Sequence, residues 1–142
     1  MKDIQVEIRT TSFDPWQELM CWGSEPAAVA VFVGRVRPTT MDGRSLQALE
    51  LEHYPGLCER QIATMAKRLQ RQHGAGAVLV LHRVGLLYPS EPIVLVAVES
   101  DRRGTAQRCS VELLEELKHR APFWKKEWCN DQGTWLVENT PL

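Results

Sequence analysis

The chain has 142 residues, of which 44% are hydrophobic and 25% charged, and its 17 Lys and Arg nearly balance its 18 Asp and Glu. This length and composition predict a single globular domain whose core needs neither a disulfide nor a metal. A net charge of −1 disfavours a general nucleic-acid binder, for which a broad basic excess is typical. No apolar run resembles a signal peptide or approaches the ~20 residues of a membrane span, so we expect a cytoplasmic protein with no membrane partner.

The cysteines are dispersed along the chain, and no CxxC pair is present. They are Cys21, Cys58, Cys109 and Cys129. The spacing favours free thiols that serve as small hydrophobic residues in a reducing compartment, with a zinc site or a persulfide-carrying cysteine as alternatives. Because no glycine-rich nucleotide loop, HExxH helix or GxSxG elbow occurs, the sequence predicts no cofactor and no metal.

The first third of the chain predicts a strand, a short helix and two further strands. Residues 4–8 alternate like a half-buried strand, and residues 14–22 begin with the helix-start signal Asp-Pro. The apolar, β-branched run 27–36 predicts a buried strand. Residues 46–54 predict a second strand, expected to be its hairpin partner across the turn TTMDGRS.

The remainder predicts two amphipathic helices and four strands. Apolar residues at helical spacing indicate a helix over 57–73, stopped by glycine, and another over about 105–118. Residues 77–85 and 92–100 predict strands joined by LLYPSE, and WKKEWC, NDQG and TWLVE predict a terminal hairpin. The order predicts an α+β fold with a mainly antiparallel sheet on which about three helices pack.

Two arginines, Arg102 and Arg103, stand just before the predicted helix 105–118. Cations there oppose the helix dipole, but an anion held by both arginines and by free backbone N–H groups would reverse that cost. The alternative is that both arginines point to solvent or pair with Asp101.

Two more basic groups stand at the ends of predicted elements. The stretch KHRAPFWKKE, residues 118–127, surrounds a rigid Ala-Pro-Phe-Trp core with cations. Arg35 and Arg37 alternate at a strand end, so they point to one face. The three groups could converge on a phosphate, although periodicity alone does not show it. A capped helix end followed by a charged, aggregation-resistant strand edge is the alternative for residues 118–127.

Two histidines are weaker candidates. Glu52 and His53 are adjacent in a predicted strand and so face opposite sides, which favours turn formation over a catalytic pair. His82 lies inside an apolar strand, where a histidine with its hydrogen bonds satisfied in the core is the expected case.

Four segments resemble the large, catalytic subunit of molybdopterin synthase, in the same order and at similar spacing. They are FVGRVR (32–37), LEHYPG (51–56), HRVG (82–85) and LKHRAPFWKKE (117–127). The resemblance extends over about residues 28–138 of a single domain, 1–142, and implies an α/β-hammerhead-like fold.

That resemblance implies an enzyme that inserts sulfur into cyclic pyranopterin monophosphate (precursor Z) to form the dithiolene of molybdopterin. The sulfur donor is implied to be a thiocarboxylate at the C-terminal Gly-Gly of a small ubiquitin-like subunit, whose tail enters a pocket of the large subunit. Large subunits are implied to form a homodimer within a heterotetramer. This sequence finishes with ENTPL, so the expected role is that of the receiving subunit.

The resemblance also implies site residues. Lys118 matches the essential lysine and Lys125 the second catalytic lysine. The implied substrate site comprises Arg35, Val36, Arg37, Arg102, Arg103, Lys118, Lys125, Lys126 and Glu127. Neighbouring cations disfavour an ammonium group, so the neutral amine of Lys118 could act as a base or as a nucleophile.

One departure concerns position 102. The family usually has His-Arg followed by Ser-Ser-Ala-Phe, whereas this sequence has Arg102-Arg103 followed by Gly-Thr-Ala-Gln. A guanidinium stays protonated, so Arg102 can bind phosphate but cannot transfer a proton. The alternatives to an enzyme are a non-catalytic paralogue that binds a ubiquitin-like partner and a small RNA-binding module.

Overall fold

Eight strands and three helices make up the part of the chain that the computed structural model describes, residues 3–23 and 25–137. The elements are β1 (Ile4–Arg9), α1 (Pro15–Trp22), β2 (Ala28–Arg35), β3 (Ala48–His53), α2 (Leu57–His73), β4 (Val78–Arg83), β5 (Gly85–Leu87), β6 (Pro92–Ser100), α3 (Arg103–Arg120), β7 (Phe123–Cys129) and β8 (Gln132–Trp135). They form two four-stranded sheets, ordered β1-β4-β6-β2 and β5-β3-β7-β8. The β1–β4 pairing is parallel and the other pairings are antiparallel, which confirms the predicted α+β class.

Local sequence signals account for the helix ends. The Asp14 carboxylate accepts hydrogen bonds from the N–H groups of Trp16 (3.0 Å) and Gln17 (3.4 Å), which caps α1. Gly74, with φ +66°, ends α2 in the left-handed conformation that favours glycine. Pro122 follows α3 and prevents its continuation.

Helices cover both faces of the first sheet, which explains why its central strands are apolar on both sides. Val78 and Val80 of β4 pack against α2 and α3. The alternate residues Leu79 and Leu81 pack against Phe13 and the apolar side of α1. None of the described helices is long and apolar enough to cross a membrane.

The second sheet is buried on one face only. Leu49 and Leu51 of β3 point into a cluster with Leu87 of β5. Glu52 and Trp124, which pair across β3 and β7, lie on the opposite face and are exposed. This one-sided burial matches the alternating pattern of its strands.

The predicted hairpin between residues 27–36 and 46–54 is wrong. Strand β2 pairs with β6 in the first sheet, whereas β3 pairs with β5 and β7 in the second. The turn segment closes on itself, with the Thr40 N–H donating to the Arg44 carbonyl at 2.7 Å. The apolar run of β2 suits the first sheet, which is covered on both faces, and the alternating pattern of β3 suits the second sheet, which is half exposed. The two segments are neighbours in sequence but belong to different sheets because their burial differs.

Two further differences from the prediction concern β5 and the start of α3. The connection LLYPSE follows Gly85 and contains most of the short strand β5, which adds an edge to the second sheet. Helix α3 starts at Arg103 instead of residue 105, with Arg102 as its N-cap residue. A weak helix-start signal explains the second difference, because Arg102 makes no side-chain cap hydrogen bond.

Candidate functional site

A cavity of about 760 Å³ opens where the two sheets meet the end of α3. The end of β2 and the residues after it form one wall, the last turns of α3 a second, and β7 a third. The loop that contains Thr39 and Met41 forms a fourth. The ends of β2 and α3 and the start of β7 therefore create the site. Of the three basic groups that could converge according to the sequence, those at 35–37 and 118–127 meet here.

Cations dominate the charged groups of this cavity. Arg35, Arg37, Lys118 and Lys125 all line it. None of them forms an ion pair with a carboxylate within residues 3–23 and 25–137. The Glu127 carboxylate also lines the cavity, but it accepts from the backbone N–H of Met41, at 3.2 and 3.4 Å. The cavity therefore suits an anionic ligand.

Lys125 is the lysine whose protonation the cavity perturbs. Burial lowers the pKa of Lys125 from its ordinary value of 10.5, and the charge of Lys118 lowers it further. Both causes act against the ammonium form, so the amine is more easily freed here than in water. The expectation of a neutral amine was made for Lys118 and stays a prediction. Burial favours a neutral amine at Lys125 instead.

The pleat of β7 separates the two adjacent lysines of the KKE segment. Lys125 and Glu127 pair with Leu51 and Leu49 on the inward face and line the cavity. Lys126 points to the outer face, where its Nζ lies 4.5 Å from the ring centroid of Trp128. The structure therefore does not bring Lys126 to the cavity, although the resemblance implies that it binds substrate.

The arginines at the start of α3 also lie away from the cavity within one chain. Arg102 and Arg103 stand at the N-terminal end of α3, and Lys118 stands near its C-terminal end. An 18-residue helix is ~27 Å long, so a ligand held by Lys118 is out of reach of these arginines of the same chain. Of the implied substrate residues, Arg35, Val36, Arg37, Lys118, Lys125 and Glu127 come together in the cavity.

A buried ion pair that sequence reasoning missed holds the rim beside β2. Arg83 donates to Glu91 at 2.9 Å, and the Arg83 side chain is only 5% exposed. The Glu91 carbonyl accepts from the Val36 N–H at 2.9 Å, and the Val36 carbonyl accepts from the Ser90 N–H at 2.8 Å. The ion pair thus fixes the segment that positions Arg35 and Arg37, and only the three-dimensional neighbourhood reveals it.

His82 is buried, as predicted for an apolar strand, but it also belongs to the cavity wall. Its ring stacks on Phe123, with centroids 3.9 Å apart and planes at 15°. Nδ1 lies 2.8 Å from the carbonyl oxygen of Arg83. Burial lowers the pKa of His82 to about 4, so the imidazole is neutral near pH 7. The sequence signal that could have indicated a place in the site was the position of His82 in HRVG, one of the four segments that carry the family resemblance.

The described residues contain no group of three or more His, Cys, Asp or Glu side chains placed to hold a metal ion. The cysteines that the structure describes are free, three of them buried, as the spacing had predicted. Amine, guanidinium, imidazole and carboxylate side chains all line the cavity.

Comparisons with known proteins agree with this geometry. The family model described as MoaE protein matches residues 8–120. The molybdopterin synthase catalytic subunit of Haemophilus influenzae is 37% identical over 139 residues, which cover 96% of this chain and 91% of that protein. The crystal structure of molybdopterin synthase from Staphylococcus aureus superposes with a TM-score of 0.81 at 29% identity, over 96% of this chain and 97% of that one.

A more distant structure shares the fold. It is a complex of subunits 1 and 2 of molybdopterin-converting factor from Helicobacter pylori, with a TM-score of 0.72 at 22% identity, over 94% of this chain and 90% of that one. The family model spans most of the sequence, including β2, the Arg83–Glu91 pair and Lys118. The chain therefore belongs to the MoaE protein family.

Proposed function

We propose that the chain is the catalytic subunit of a molybdopterin synthase, which transfers sulfur to precursor Z to form the dithiolene of molybdopterin. The observation that carries this proposal is the cavity with four cations, Arg35, Arg37, Lys118 and Lys125, none of which is paired with a carboxylate of the described residues. A flat substrate with a cyclic phosphate supplies the missing anion. The family membership and the relatives' names support the same assignment.

The lysines serve the step in which the acyl–sulfur bond breaks. The thiocarboxylate sulfur attacks a substrate carbon, and a C–O bond at that carbon breaks with its electron pair leaving on oxygen. The small subunit is then joined through its acyl carbon to the transferred sulfur. Attack at the acyl carbon by water or by an amine breaks the acyl–sulfur bond, and the electron pair stays on sulfur. Lys118 and Lys125 face the same cavity, so one can act as the base or nucleophile while the other neutralises the phosphate.

A small sulfur-carrier subunit is the expected partner. The relatives are named catalytic subunits, and the Helicobacter pylori structure is a complex of two subunits. In our proposal the partner's C-terminal Gly-Gly thiocarboxylate enters the cavity from solvent. Free cysteines, three of them buried, suit the reducing cytoplasm, where we place this reaction.

A homodimer would bring the distant arginines to the cavity. Strand β2 lies at the edge of the first sheet, and no strand of the described residues pairs with its other side. It exposes Val29 and Val31 and carries no charge before Arg35, although such an edge is normally protected. Antiparallel pairing with the β2 of a second copy would set Ala28 of one strand near Arg35 of the other.

That arrangement has a consequence for the site. Ala28 pairs with Ser100, which directly precedes the segment with Arg102 and Arg103. Strand β2 has eight residues and spans ~27 Å, about the length of α3. In the proposed dimer the arginines of one copy therefore approach the cavity of the other and complete its phosphate site.

Reconstitution tests the enzyme. Purified chain, a thiocarboxylated small subunit and precursor Z are mixed without oxygen, and the dithiolene pterin is followed as its oxidised fluorescent product. We expect product with the wild type and with Lys67→Ala, an exposed lysine on α2, and none with Lys118→Ala. A stable complex with the small subunit but no wild-type product would favour the non-catalytic scaffold.

Mixing two inactive variants tests the dimer. If each cavity uses Lys118 of one copy and Arg103 of the other, chains with Lys118→Ala and chains with Arg103→Ala form mixed dimers with one intact site. Random mixing then restores about a quarter of wild-type activity. Val31→Lys, which adds a charge to the β2 edge, is expected to abolish the restoration. Persistent inactivity of the mixture would contradict the shared cavity.

A further inference from the structure

His82 offers an uncharged nitrogen acceptor to a cavity whose charged groups are mainly cations. The groups that face it are Lys118 from α3, Lys125 from β7 and His53 from β3, each close enough to influence its protonation. None of these is an anion. A proton on His82 would therefore meet only repulsion from these neighbours.

The tautomer of His82 follows from its hydrogen bond. The carbonyl oxygen of Arg83, 2.8 Å from Nδ1, can only accept, so Nδ1 carries the proton. In a neutral imidazole the other nitrogen, Nε2, then holds a lone pair. Backbone geometry thus determines which kind of hydrogen bond this ring can make with a ligand.

The described residues leave the Nε2 atom of this cavity-lining histidine without a hydrogen-bond donor. No described donor makes a hydrogen bond to it, and the Nδ1 contact is the hydrogen bond that the ring makes. Nε of Arg83 is the buried side-chain N or O atom without a partner among the described residues, and Nε2 of His82 is not such an atom. Because His82 lines the cavity, its free acceptor opens there.

The ring is also held rigidly. It stacks on Phe123 on one side, and β4 places His82 between Ile8 of β1 and Val94 of β6. A rigid acceptor whose direction is fixed distinguishes one orientation of a flat ligand from another, at little entropic cost.

We propose that His82 orients the substrate by accepting, at Nε2, a hydrogen bond from an N–H donor on the edge of the bound heterocycle. This inference rests on the proposed function, in which the ligand is a pterin. The cations bind the phosphate, and His82 selects which edge of the ring system faces the lysines. The residue touches the substrate but exchanges no proton with it.

Two substitutions separate this role from a structural one. His82→Asn retains an amide N–H that can donate to the Arg83 carbonyl but has no acceptor at the Nε2 position. His82→Gln extends an amide whose oxygen can reach that position. We expect His82→Asn to weaken precursor Z binding roughly tenfold to a hundredfold, by leaving one donor unpaired, and His82→Gln to recover most of the loss. Calorimetry measures binding of precursor Z to the complex with the non-thiocarboxylated small subunit.

The nitrogen resonances of His82 give a second readout that a purely structural role would not change. In ¹⁵N-labelled protein near pH 7 we expect the Nδ1–H tautomer, and a shift of the Nε2 resonance when precursor Z is added. A folded Asn variant that binds with wild-type affinity would overturn the proposal. If that variant does not fold, an Nε2 resonance unmoved by saturating precursor Z overturns it instead.

The experiments distinguish a failure of the proposed function from a failure of the His82 proposal. If the wild type forms no dithiolene product yet binds precursor Z with the Nε2 shift, the enzyme assignment is wrong and the orienting role of His82 stands. If the wild type and His82→Asn form product equally well at a low concentration of precursor Z, the enzyme assignment stands and the orienting role of His82 is wrong.

Discussion

The ion pair between Arg83 and Glu91 predicts a large loss of stability from one conservative substitution, Glu91→Gln. The change removes the negative charge but keeps the shape of the side chain and the backbone hydrogen bond to Val36. Arg83 would retain a 3.4 Å contact from Nη2 to the Leu86 carbonyl, while its Nε already lacks a partner. A buried guanidinium would therefore be left without a compensating charge.

The magnitude follows from burial. Breaking a buried ion pair by removing one partner typically costs about 3–5 kcal/mol. The Arg83 side chain is 5% exposed but that of Glu91 is 30% exposed, so water can partly replace the lost carboxylate. We therefore expect about 3 kcal/mol, which for a domain of this size lowers Tm by about 10 °C.

Urea and thermal unfolding of the isolated chain, followed by circular dichroism, measure this loss. The control is Glu112→Gln, which removes an exposed carboxylate paired with His73 and is expected to change stability by less than about 0.5 kcal/mol. Adding Arg83→Met to Glu91→Gln should recover most of the stability, since no unpaired charge remains buried. A loss below about 1 kcal/mol for Glu91→Gln, or additive effects in the double variant, would refute the reasoning.

Two further predictions concern amines and thiols. Lys125→Met is expected to abolish product formation, and to lose more activity than Lys126→Met, yet to raise the free energy of unfolding at pH 7 by about 1 kcal/mol. The folded-state pKa of Lys125 lies below its unfolded value of 10.5, so the free energy of unfolding of the wild type rises with pH between these two pKa values. Urea unfolding at pH 7 and at pH 10 should therefore show that the stability advantage of Lys125→Met over the wild type is smaller at pH 10. Cys21 is exposed, whereas burial raises the pKa values of Cys58 and Cys109 to about 11, so a thiol reagent at pH 8 should modify Cys21 well before these two. Rapid modification of either buried thiol in folded protein would contradict that order.

The sequence predicted most elements because their signals are local. The 3.6-residue period and the terminal glycine determine α2, and an aspartate followed by proline determines α1. The terminal hairpin was predicted from its turn residues, although β8 (Gln132–Trp135) starts inside the predicted turn NDQG, and Glu138 of the predicted strand TWLVE lies outside the described residues. Asn130 and Asp131 adopt φ values of +51° and +61°, as a tight hairpin requires. Each of these signals lies within the element that it predicts or directly beside it.

Strand pairing could not be predicted in the same way. Residues 27–36 and 46–54 are neighbours with a turn between them, which favours a hairpin on local grounds. Their partners, β6 and β7, lie far along the chain, and the choice depends on which faces α1, α2 and α3 cover. Burial on both faces is a property of the assembled layers, so no short window of sequence contains it.

The stretch KHRAPFWKKE shows how one segment serves both stability and the site. Pro122 stops α3, and the chain continues directly as β7. Lys118 therefore lines the cavity from a helix and Lys125 from a strand. The pleat then sends Phe123 inward onto His82 and Trp124 outward. The like charges of two lysines that share one cavity oppose folding, and the partly buried Phe123 contributes apolar stabilisation at the same junction. An anion that binds both lysines should remove this repulsion, so ligand binding and folding stability are coupled at this point of the chain.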